Sequence, residues 1–290
     1  MIKKILGKTI IFLLIAVVVL KIVSLAFPAS KYIYDDLEEV TDNNVCLGLN
    51  YHRVRTPSMW NRFVQWATKT PELTTYNVYS DDFEEQMTKL VESGAYFATL
   101  NELFEFKNTG KYPDKCVWIS FDDVDESVYK NAFPILKEKN IPFTLFVISG
   151  QVGSQNFNNL KLASWDNLRE MRDSGLVSFA SHTYNMHYLQ DDKAVFLHEE
   201  NYDQFKKDIE MSKETMKKEL GIDVTTIAYP YGETSDDITK IVKESGFEGA
   251  YILSPNPISA DNDLYYQNRY LVDNEVFERI ILPWVNKDNK

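Results

Sequence analysis

The chain has 290 residues, of which 44% are hydrophobic and 26% are charged. This size suits one large α/β domain or two small ones, with enough apolar residues to build a core. The formal net charge of −12 argues against a nucleic-acid partner, because binding to phosphates requires a basic surface. The eleven glycines are scattered singly, so no glycine-rich phosphate-binding loop stands out.

The N-terminal segment has the composition of an export signal. A basic start precedes an apolar run over residues 9–20, and residues 24–26 (Ser-Leu-Ala) form a small-residue cleavage site. The alternative is an uncleaved membrane anchor, although Lys21 lies inside the apolar stretch. Residues 1–28 are therefore predicted to be a signal peptide or membrane anchor, and residues 29–44 a polar linker. We expect the rest of the chain to be secreted, either in the cell wall or at the outer face of the cytoplasmic membrane.

The remaining sequence alternates short apolar runs with amphipathic segments. The apolar runs predict strands over residues 45–50, 96–100, 116–121, 143–148, 176–180, 225–229, 249–253 and 270–272. The amphipathic segments predict helices over residues 80–93, 100–106, 126–139, 164–174, 203–220, 236–245 and 274–284. Ser80 is expected to cap the first of these helices, and Thr99 with Glu102 to form a capping box on the second. Residues 60–79 show no clear period and contain Pro71, so they are predicted to form a long loop with possible helical turns.

Repeated strand–helix units predict a parallel sheet with helical crossovers, either as a barrel or as a doubly wound sheet. In both architectures the chemistry collects at the carboxyl ends of the strands. Polar, reactive side chains follow four of the predicted strands, namely His52, Asp122 with Asp123, His182 with His187, and Tyr231. Three of the chain's four histidines belong to this set, which independent helix caps would not explain.

Each part of this set has a simpler explanation when it is taken alone. An Asp pair after a strand often begins a helix, and a single histidine is more often structural than a metal ligand. The five-residue spacing of His182 and His187 suits a loop better than a helix, and on a loop both imidazoles can reach one ion. Two histidines and a carboxylate such as Asp123 form a common divalent-metal triad with open positions for water and substrate. Taken together, these residues favour a metal site.

Three segments resemble the successive motifs of the polysaccharide deacetylases, which are carbohydrate esterase family 4 with its NodB-homology domain. They are residues 120–123 (Ser-Phe-Asp-Asp), the stretch from Trp165 to His187, and residues 229–232 (Tyr-Pro-Tyr-Gly). The resemblance covers residues from about 113 to 290. It implies a distorted (β/α) barrel of about seven parallel strands within a single catalytic domain over residues 45–290.

An earlier segment carries a narrower resemblance. Residues 50–54 (Asn-Tyr-His-Arg-Val) resemble the N-terminal motif of the poly-β-1,6-N-acetylglucosamine N-deacetylases of biofilm matrix, the intercellular-adhesion type. In that subgroup the catalytic histidine precedes the Asp-Asp motif, whereas most of the family has it near the C-terminus. The resemblance implies extracellular poly-N-acetylglucosamine as the substrate, with association with the cell surface or the membrane.

The resemblance also implies roles for individual residues. Asp123, His182 and His187 would hold a divalent metal ion, for which zinc is the first expectation and nickel, cobalt or iron are the alternatives. Asp122 would be the catalytic base and His52 the catalytic acid. The backbone N–H of Tyr231, with Tyr229 beside it, would bind the oxyanion.

The sequence departs from the family pattern at two places. Most members have an arginine where this chain has Ala228, and Arg269 on a late strand is the predicted replacement. The Asp-Trp motif that lines the acetate pocket of other members has no clear counterpart, although Asp263 is a weak match and Leu49 is expected to supply apolar lining.

Two alternative functions stay open from the sequence. The same chemistry could act on peptidoglycan or chitin, although the His52 motif argues against these polymers. A catalytically inactive carbohydrate-binding domain is the other alternative, and Ala228 favours it. The retention of a base, an acid and three metal ligands argues against an inactive domain.

The two cysteines are each six residues before a predicted site residue, Cys46 before His52 and Cys116 before Asp122. If the two strands are neighbours, the cysteine Cα atoms should lie about 5 Å apart. Side chains on adjacent parallel strands point the same way, and a disulfide there is expected to need strained geometry. We therefore predict proximity without a bond.

Overall fold

The computed structural model describes residues 37–68 and 74–287, together with residue 11 and residues 15–18 of the N-terminal segment. Apart from those five positions, the predicted signal peptide or anchor lies outside the described residues. Among the residues described, none of the helices has the length and apolar character needed to cross a membrane.

Strands and helices alternate along the chain. The strands are β1 (Cys46–Tyr51), β2 (Arg53–Arg55), β3 (Asn77–Tyr79), β4 (Tyr96–Phe97), β5 (Cys116–Asp123), β6 (Phe143–Val147), β7 (Val177–Ser181), β8 (Leu189–Gln190), β9 (Lys193–Ala194), β10 (Thr226–Ala228), β11 (Gly249–Tyr251) and β12 (Tyr270–Leu271). The helices are α1 (Met59–Thr68), α2 (Ser80–Glu92), α3 (Leu100–Thr109), α4 (Phe133–Glu138), α5 (Trp165–Asp173), α6 (Tyr202–Leu220), α7 (Asp236–Glu244), α8 (Asn274–Val276) and α9 (Leu282–Val285). Two π-helical turns, Val128–Ala132 and Phe277–Ile281, lead into α4 and join α8 to α9.

Seven parallel strands form the central sheet in the order β11-β10-β7-β6-β5-β1-β12, and the short β4 pairs with the start of β5. The sheet curls until its two edges approach each other. The segment before β12 pairs with β11, where the N–H of Ile252 donates to the carbonyl of Gln267 at 2.9 Å. The predicted distorted (β/α) barrel of about seven parallel strands is therefore confirmed.

Side-chain alternation along β1 separates the two faces of this sheet. Leu47, Leu49 and Tyr51 are buried in the core between the sheet and the helices, and the ring of Tyr51 lies 5.1 Å from that of Phe83 on α2. The alternate residues, which begin with Cys46, face the barrel interior, where Cys46 packs in a second apolar cluster with Trp118, Phe146 and Tyr251. The inward-facing side chains therefore extend along the barrel interior toward the carboxyl ends of the strands.

Several local predictions are confirmed and others are wrong. The capping box of Thr99 and Glu102 begins α3 as predicted. Ser80 is the first residue of α2 and does not cap it, since the N-cap is Tyr79. Most of helix α1 lies in the loop predicted over residues 60–79, for which helical turns were expected. The same region also contains the strand β3, which was not predicted and which pairs in parallel with β2. Pairing over only three residues lets β3 form without a sequence long enough to show alternation.

The prediction that the two cysteines stay unbonded is wrong. Cys46 and Cys116 are register partners on β1 and β5 with Cα atoms 4.6 Å apart, and they form a disulfide. The predicted proximity was correct. Both cysteines lie at the first position of their strands and face the barrel interior, and their Cα separation lies within the usual range for a disulfide, so the bond needs no movement of the backbone.

Candidate active site

The predicted site residues meet at the carboxyl ends of the parallel strands. His52 directly follows β1, Asp122 and Asp123 end β5, and His182 directly follows β7. Because β5 pairs with both β1 and β6, and β6 pairs with β7, these strand ends lie side by side. They open onto a pocket of about 180 Å³ lined by His52, Arg53, Tyr76, Asp122, Asp123, Phe157, Asn158, Leu160, His182, His187, Tyr231 and Leu253.

Both aspartates reach this pocket because the strand bends at its last residue. Neighbouring side chains of a regular strand point to opposite faces. Asp123 has a φ of +65°, and the N–H of Val124 donates to the carbonyl of Asp122 at 2.7 Å, closing a three-residue turn around Asp123. The turn brings the Asp123 carboxylate to the same side as that of Asp122.

Asp123, His182 and His187 each present one ligand atom, and these atoms all lie within 4.8 Å of one another. Asp123 Oδ1 is 3.2 Å from His187 Nε2 and 3.6 Å from His182 Nε2. His182 Nδ1 lies 2.8 Å from the carbonyl of Ala228, which can only accept, so this nitrogen carries the proton and Nε2 keeps its lone pair toward the pocket. Two imidazole lone pairs and a carboxylate fit a divalent cation of the zinc, nickel, cobalt or iron type.

The charges of this triad depend on burial and on each other. Burial lowers the pKa of His182, which favours the neutral ligand form. Burial on its own would raise the pKa of Asp123 and lower that of His187, but the mutual attraction of the two groups outweighs it. The net result is a strongly lowered pKa for Asp123 and a raised one for His187. A buried carboxylate is thus held ionised beside two imidazoles.

Asp122 is held by Arg269 from inside the barrel. The two carboxylate oxygens accept from Arg269 Nη1 at 2.6 Å and Nη2 at 2.9 Å, and the guanidinium lies over the ring of Phe146 at 4.7 Å. Burial works to raise the pKa of Asp122, but the charge and hydrogen bonds of Arg269, together with the nearby His182 and His52, outweigh it, and the net pKa is lowered. Gly48 makes room for this arrangement, since a Cβ there would lie 3.4 Å from Arg269 Cγ and 3.0 Å from the carbonyl of Asn268. Arg269 therefore contacts Asp122 through both carboxylate oxygens, and its role in orienting the base stays a prediction.

His52 is buried and lines the pocket, and its ring meets that of Tyr76 edge-on at 5.0 Å. Burial lowers the pKa of His52 to about 4, while the charges of Asp123 and Asp122 act in the opposite direction. The His52 imidazole is therefore neutral at neutral pH in the metal-free chain.

Tyr231 forms another wall, with its ring 4.8 Å from that of His187. Its φ of +63° lies in the left-handed region, which turns the chain sharply after β10. Two further walls were not predicted: Leu253 after β11, and the tight turn that presents Phe157 and Leu160. Asn158 and Asn159 occupy this turn with positive φ, and the Asn-Asn pair was the available sequence signal for it.

Other predicted residues lie away from the pocket. Leu49 does not line it, because Leu49 belongs to the outward-facing side chains of β1 and packs against the helices. Tyr229 is likewise buried in the helix-facing core. Asp263 lies in a turn, where its carboxylate accepts the N–H of Tyr265 at 2.8 Å. The apolar lining expected from Leu49 is supplied instead by Leu253, Leu160 and Phe157.

This site belongs to a known class of hydrolases. Residues 109–250 match the family described as Polysaccharide deacetylase. Over 241 residues the chain is 38% identical to the poly-beta-1,6-N-acetyl-D-glucosamine N-deacetylase of Staphylococcus aureus (strain MRSA252), covering 83% of each protein. The chain therefore belongs to the polysaccharide deacetylase family, whose members are metal-dependent hydrolases of amide bonds.

More specific relatives point to one subgroup. The enzyme of the same name from Staphylococcus epidermidis is 38% identical over 250 residues, 86% of each chain. The solved structure of IcaB from Ammonifex degensii superposes with a TM-score of 0.73 at 29% identity, covering 86% of this chain and 100% of that one. The chain is thus similar over most of its length to proteins named as poly-β-1,6-N-acetylglucosamine N-deacetylases.

Proposed function

We propose that this chain is a metal-dependent N-deacetylase that removes acetyl groups from extracellular poly-β-1,6-N-acetyl-D-glucosamine during formation of a biofilm matrix. One observation carries the proposal. His52, which comes before the Asp-Asp motif in the chain, shares a single pocket with Asp122 and with the metal-binding triad. The relatives with this name support the choice of polymer.

The triad of Asp123, His182 and His187 would hold the metal ion. A divalent ion bound there would supply a Lewis acid that polarises the acetamide carbonyl and lowers the pKa of a water molecule. Zinc is the first choice for two imidazoles and a carboxylate, and nickel, cobalt and iron share this ligand preference.

Asp122 is the proposed general base. It lies beside the triad, with its Oδ2 3.9 Å from His182 Nε2, and Arg269 holds both of its oxygens in one orientation. The lowered pKa keeps it ionised and ready to accept the proton of the attacking water. Arg269 is thus a positioning residue that takes the place of the arginine missing at Ala228.

His52 is the proposed general acid for the leaving amine. A general acid must carry its proton before the C–N bond breaks, and burial keeps the free imidazole neutral. His52 therefore has to take up a proton in the substrate complex, where the charges of Asp122 and Asp123 favour the imidazolium. The amine nitrogen then receives that proton as the bond to the acetyl carbon breaks.

When water adds to the acetyl carbon, the carbonyl oxygen would become an oxyanion, which needs hydrogen-bond donors as well as the metal. The proposed donor is the backbone N–H of Tyr231, a residue that lines the pocket. The apolar wall of Leu253, Leu160 and Phe157 would accept the acetyl methyl group.

The proposed location is outside the cytoplasm, with residues 1–28 as a signal peptide or anchor, residues 29–44 as a linker and residues 45–290 as the catalytic domain. The disulfide supports export, because such bonds persist in oxidising compartments. The mature surface would be acidic and would face a product that becomes cationic as acetyl groups are removed.

Activity on three polymers tests the proposal. We expect acetate release from poly-β-1,6-N-acetylglucosamine, its loss on treatment with a chelator, and its recovery when zinc is restored. Faster release from chitin or peptidoglycan would assign the chain to those substrates. No release from any polymer by the zinc-loaded chain would favour an inactive carbohydrate-binding domain.

A further inference from the structure

The loop between His182 and His187 is held from outside the pocket by helix α6. Asp208 on α6 is buried, and its two carboxylate oxygens accept the backbone N–H groups of Tyr184 at 2.7 Å and Asn185 at 2.9 Å. These two amides lie between the proposed metal ligands in the chain. An ionised carboxylate is a stronger acceptor for backbone N–H groups than a neutral side chain, and both of its oxygens are used.

This loop has a backbone conformation that depends on external support. Thr183 has a φ of +74°, in the left-handed region that β-branched residues rarely adopt. Such residues persist only where their surroundings fix them. The Thr183 N–H donates to Ser181 Oγ at 3.2 Å, and its carbonyl accepts from the N–H of Ser149 at 3.1 Å.

A second residue of α6 supports the same loop. Ser212 Oγ lies 2.8 Å from Ser181 Oγ and 3.1 Å from Ser149 Oγ. Asp208 and Ser212 are four positions apart and both are buried, so they project from one face of α6. We call Asp208 and Ser212 the α6 clamp.

The loop can approach its other neighbour because Gly150 has no side chain. The N–H of Gly150 donates to the carbonyl of Tyr184 at 2.8 Å, and a Cβ at position 150 would lie only 2.6 Å from that oxygen. The backbone of residues 183–185 is therefore bonded on one side to residues after β6 and on the other to α6. Asp208 is the charged member of these contacts.

We propose that Asp208 is a positioning residue for the metal site, an inference that rests on the proposed metal-dependent function. Its carboxylate fixes the path of the chain between His182 and His187 before a metal ion binds. Asp208 itself does not line the pocket. Without it, the loop samples other conformations, and metal binding must select the one in which both imidazoles converge with Asp123.

Asp208→Asn tests this role with the full chain. The amide offers one acceptor oxygen and turns an NH₂ group toward the second backbone N–H, so one of the two bonds is lost. We expect zinc affinity to fall by about 10- to 100-fold, the usual effect of losing a residue that orients metal ligands. The matched control is Glu210→Gln, the same chemical change at an exposed position of α6.

Three measurements separate positioning from general support. Zinc affinity is obtained by competition with a chromophoric chelator, coordination from the visible absorption of the Co²⁺-loaded chain, and loop order from hydrogen exchange of the metal-free chain. Asp208→Asn should weaken zinc binding, alter the Co²⁺ spectrum and speed exchange at Tyr184 and Asn185. Glu210→Gln should change none of them. Asp208→Glu, which keeps a carboxylate, should recover part of the lost affinity.

Zinc affinity within twofold of the wild type in a folded Asp208→Asn variant would overturn the proposal, even if its melting temperature fell. If that variant does not fold, Ser212→Ala takes its place and must weaken zinc binding relative to Glu210→Gln, since unchanged affinity would overturn the role of the α6 clamp. A wild-type chain that fails to bind zinc contradicts the proposed function itself. A wild type that binds zinc while the clamp variants bind equally well contradicts only the positioning role.

Discussion

The two ends of the barrel interior are built from opposite kinds of residue. At the amino end Cys46 and Cys116 are bonded to each other within an apolar cluster that includes Trp118 and Ile258. At the carboxyl end of the same strands, buried polar atoms make no hydrogen bond in the described structure, including His52 Nδ1 and Asp123 Oδ1, although Oδ1 lies close to the imidazole nitrogens of His182 and His187. Buried polar groups normally find partners, so such atoms indicate a place reserved for a ligand.

The amino end of the barrel interior therefore stabilises the molecule, and the carboxyl end carries the proposed chemistry. Val124 and Thr183, both β-branched, have left-handed backbone conformations beside the proposed metal ligands. Conformations of this type cost roughly 1–3 kcal/mol each and cluster at functional sites. The apolar cluster and the disulfide at the amino end contribute stability that offsets the cost of these backbone conformations. Substitutions at the carboxyl end should therefore reduce activity, whereas substitutions at the amino end should reduce stability and leave activity close to that of the wild type.

The largest effect on activity is expected from Asp122→Asn. Loss of a general base should reduce kcat by about 10²- to 10⁴-fold. Metal content, measured by elemental analysis, should stay at the wild-type level because Asp122 is not a proposed ligand. Asp123→Asn is the matched comparison and should lose metal. Equal metal loss in both variants would contradict the separate roles of the two aspartates.

His52→Ala should follow, with a fall in kcat of about 10²-fold or more, since the leaving amine would lack its proton donor. Zinc affinity and binding to poly-N-acetylglucosamine should be retained. Both are measurable on the same preparation by chelator competition and by co-sedimentation with the polymer. A near wild-type rate would place the acid elsewhere and would separate this chain from the subgroup that its N-terminal motif resembles.

Arg269→Met should change both the pH dependence of the activity and the stability of the chain. Asp122 would lose the charge that lowers its pKa, so the pKa would rise toward the value that burial alone favours. The ionised base is present above its folded pKa and lost as the pH falls through it. The acidic limb of the kcat/KM profile should therefore move to higher pH, with a greater loss of rate at about pH 5 than at about pH 8.

The same variant should unfold more easily, by about 3–5 kcal/mol, because a buried charge would lose its partner. Denaturant titration measures this loss, and Arg279→Met on the exposed surface is the control for removing an arginine. An unshifted acidic limb would show that Arg269 does not set the protonation of Asp122.

The smallest effect on activity is expected from the double variant Cys46→Ala, Cys116→Ala. The cross-link joins residues 70 positions apart, and its loss should reduce the free energy of unfolding by about 2–5 kcal/mol. The initial rate at 25 °C should stay close to that of the wild type, because the cysteines lie at the far end of the barrel from the pocket. Thiol titration of the denatured, non-reduced wild type should find no free thiols.

Much of this arrangement could be predicted because the chemistry obeys a rule of topology. Polar residues after strands of a parallel sheet converge at one edge, and this placed Asp122, Asp123, His52 and His182 together without coordinates. Arg269 could be proposed as a partner of Asp122 because the family position at Ala228 lacks its arginine.

Other features depend on geometry that the sequence does not display. Alternation along β1 could have excluded Leu49, which is three positions from His52 and therefore on the other face. By contrast, Leu253, Phe157 and Leu160 come from loops without a period, and their meeting depends on how the loops fold over the pocket. Asp208 lies on a helix distant in sequence from the loop that it holds. The bond between the cysteines depends on how their side chains meet, which strand spacing alone does not give.

His52 and Arg269 lie outside the segment of the chain that matches the family model. The segment that matches the family, residues 109–250, includes the proposed metal triad and the proposed base. The proposed acid, His52, directly follows β1, and Arg269 directly precedes β12, so both lie outside that segment. Both flanking strands insert side by side into the same sheet, since β1 lies between β5 and β12. A protein that kept only the matching segment could retain the ligands for an ion while lacking the means to release an amine. The proposed activity therefore requires residues from the whole barrel, and a match to the central segment alone does not establish it.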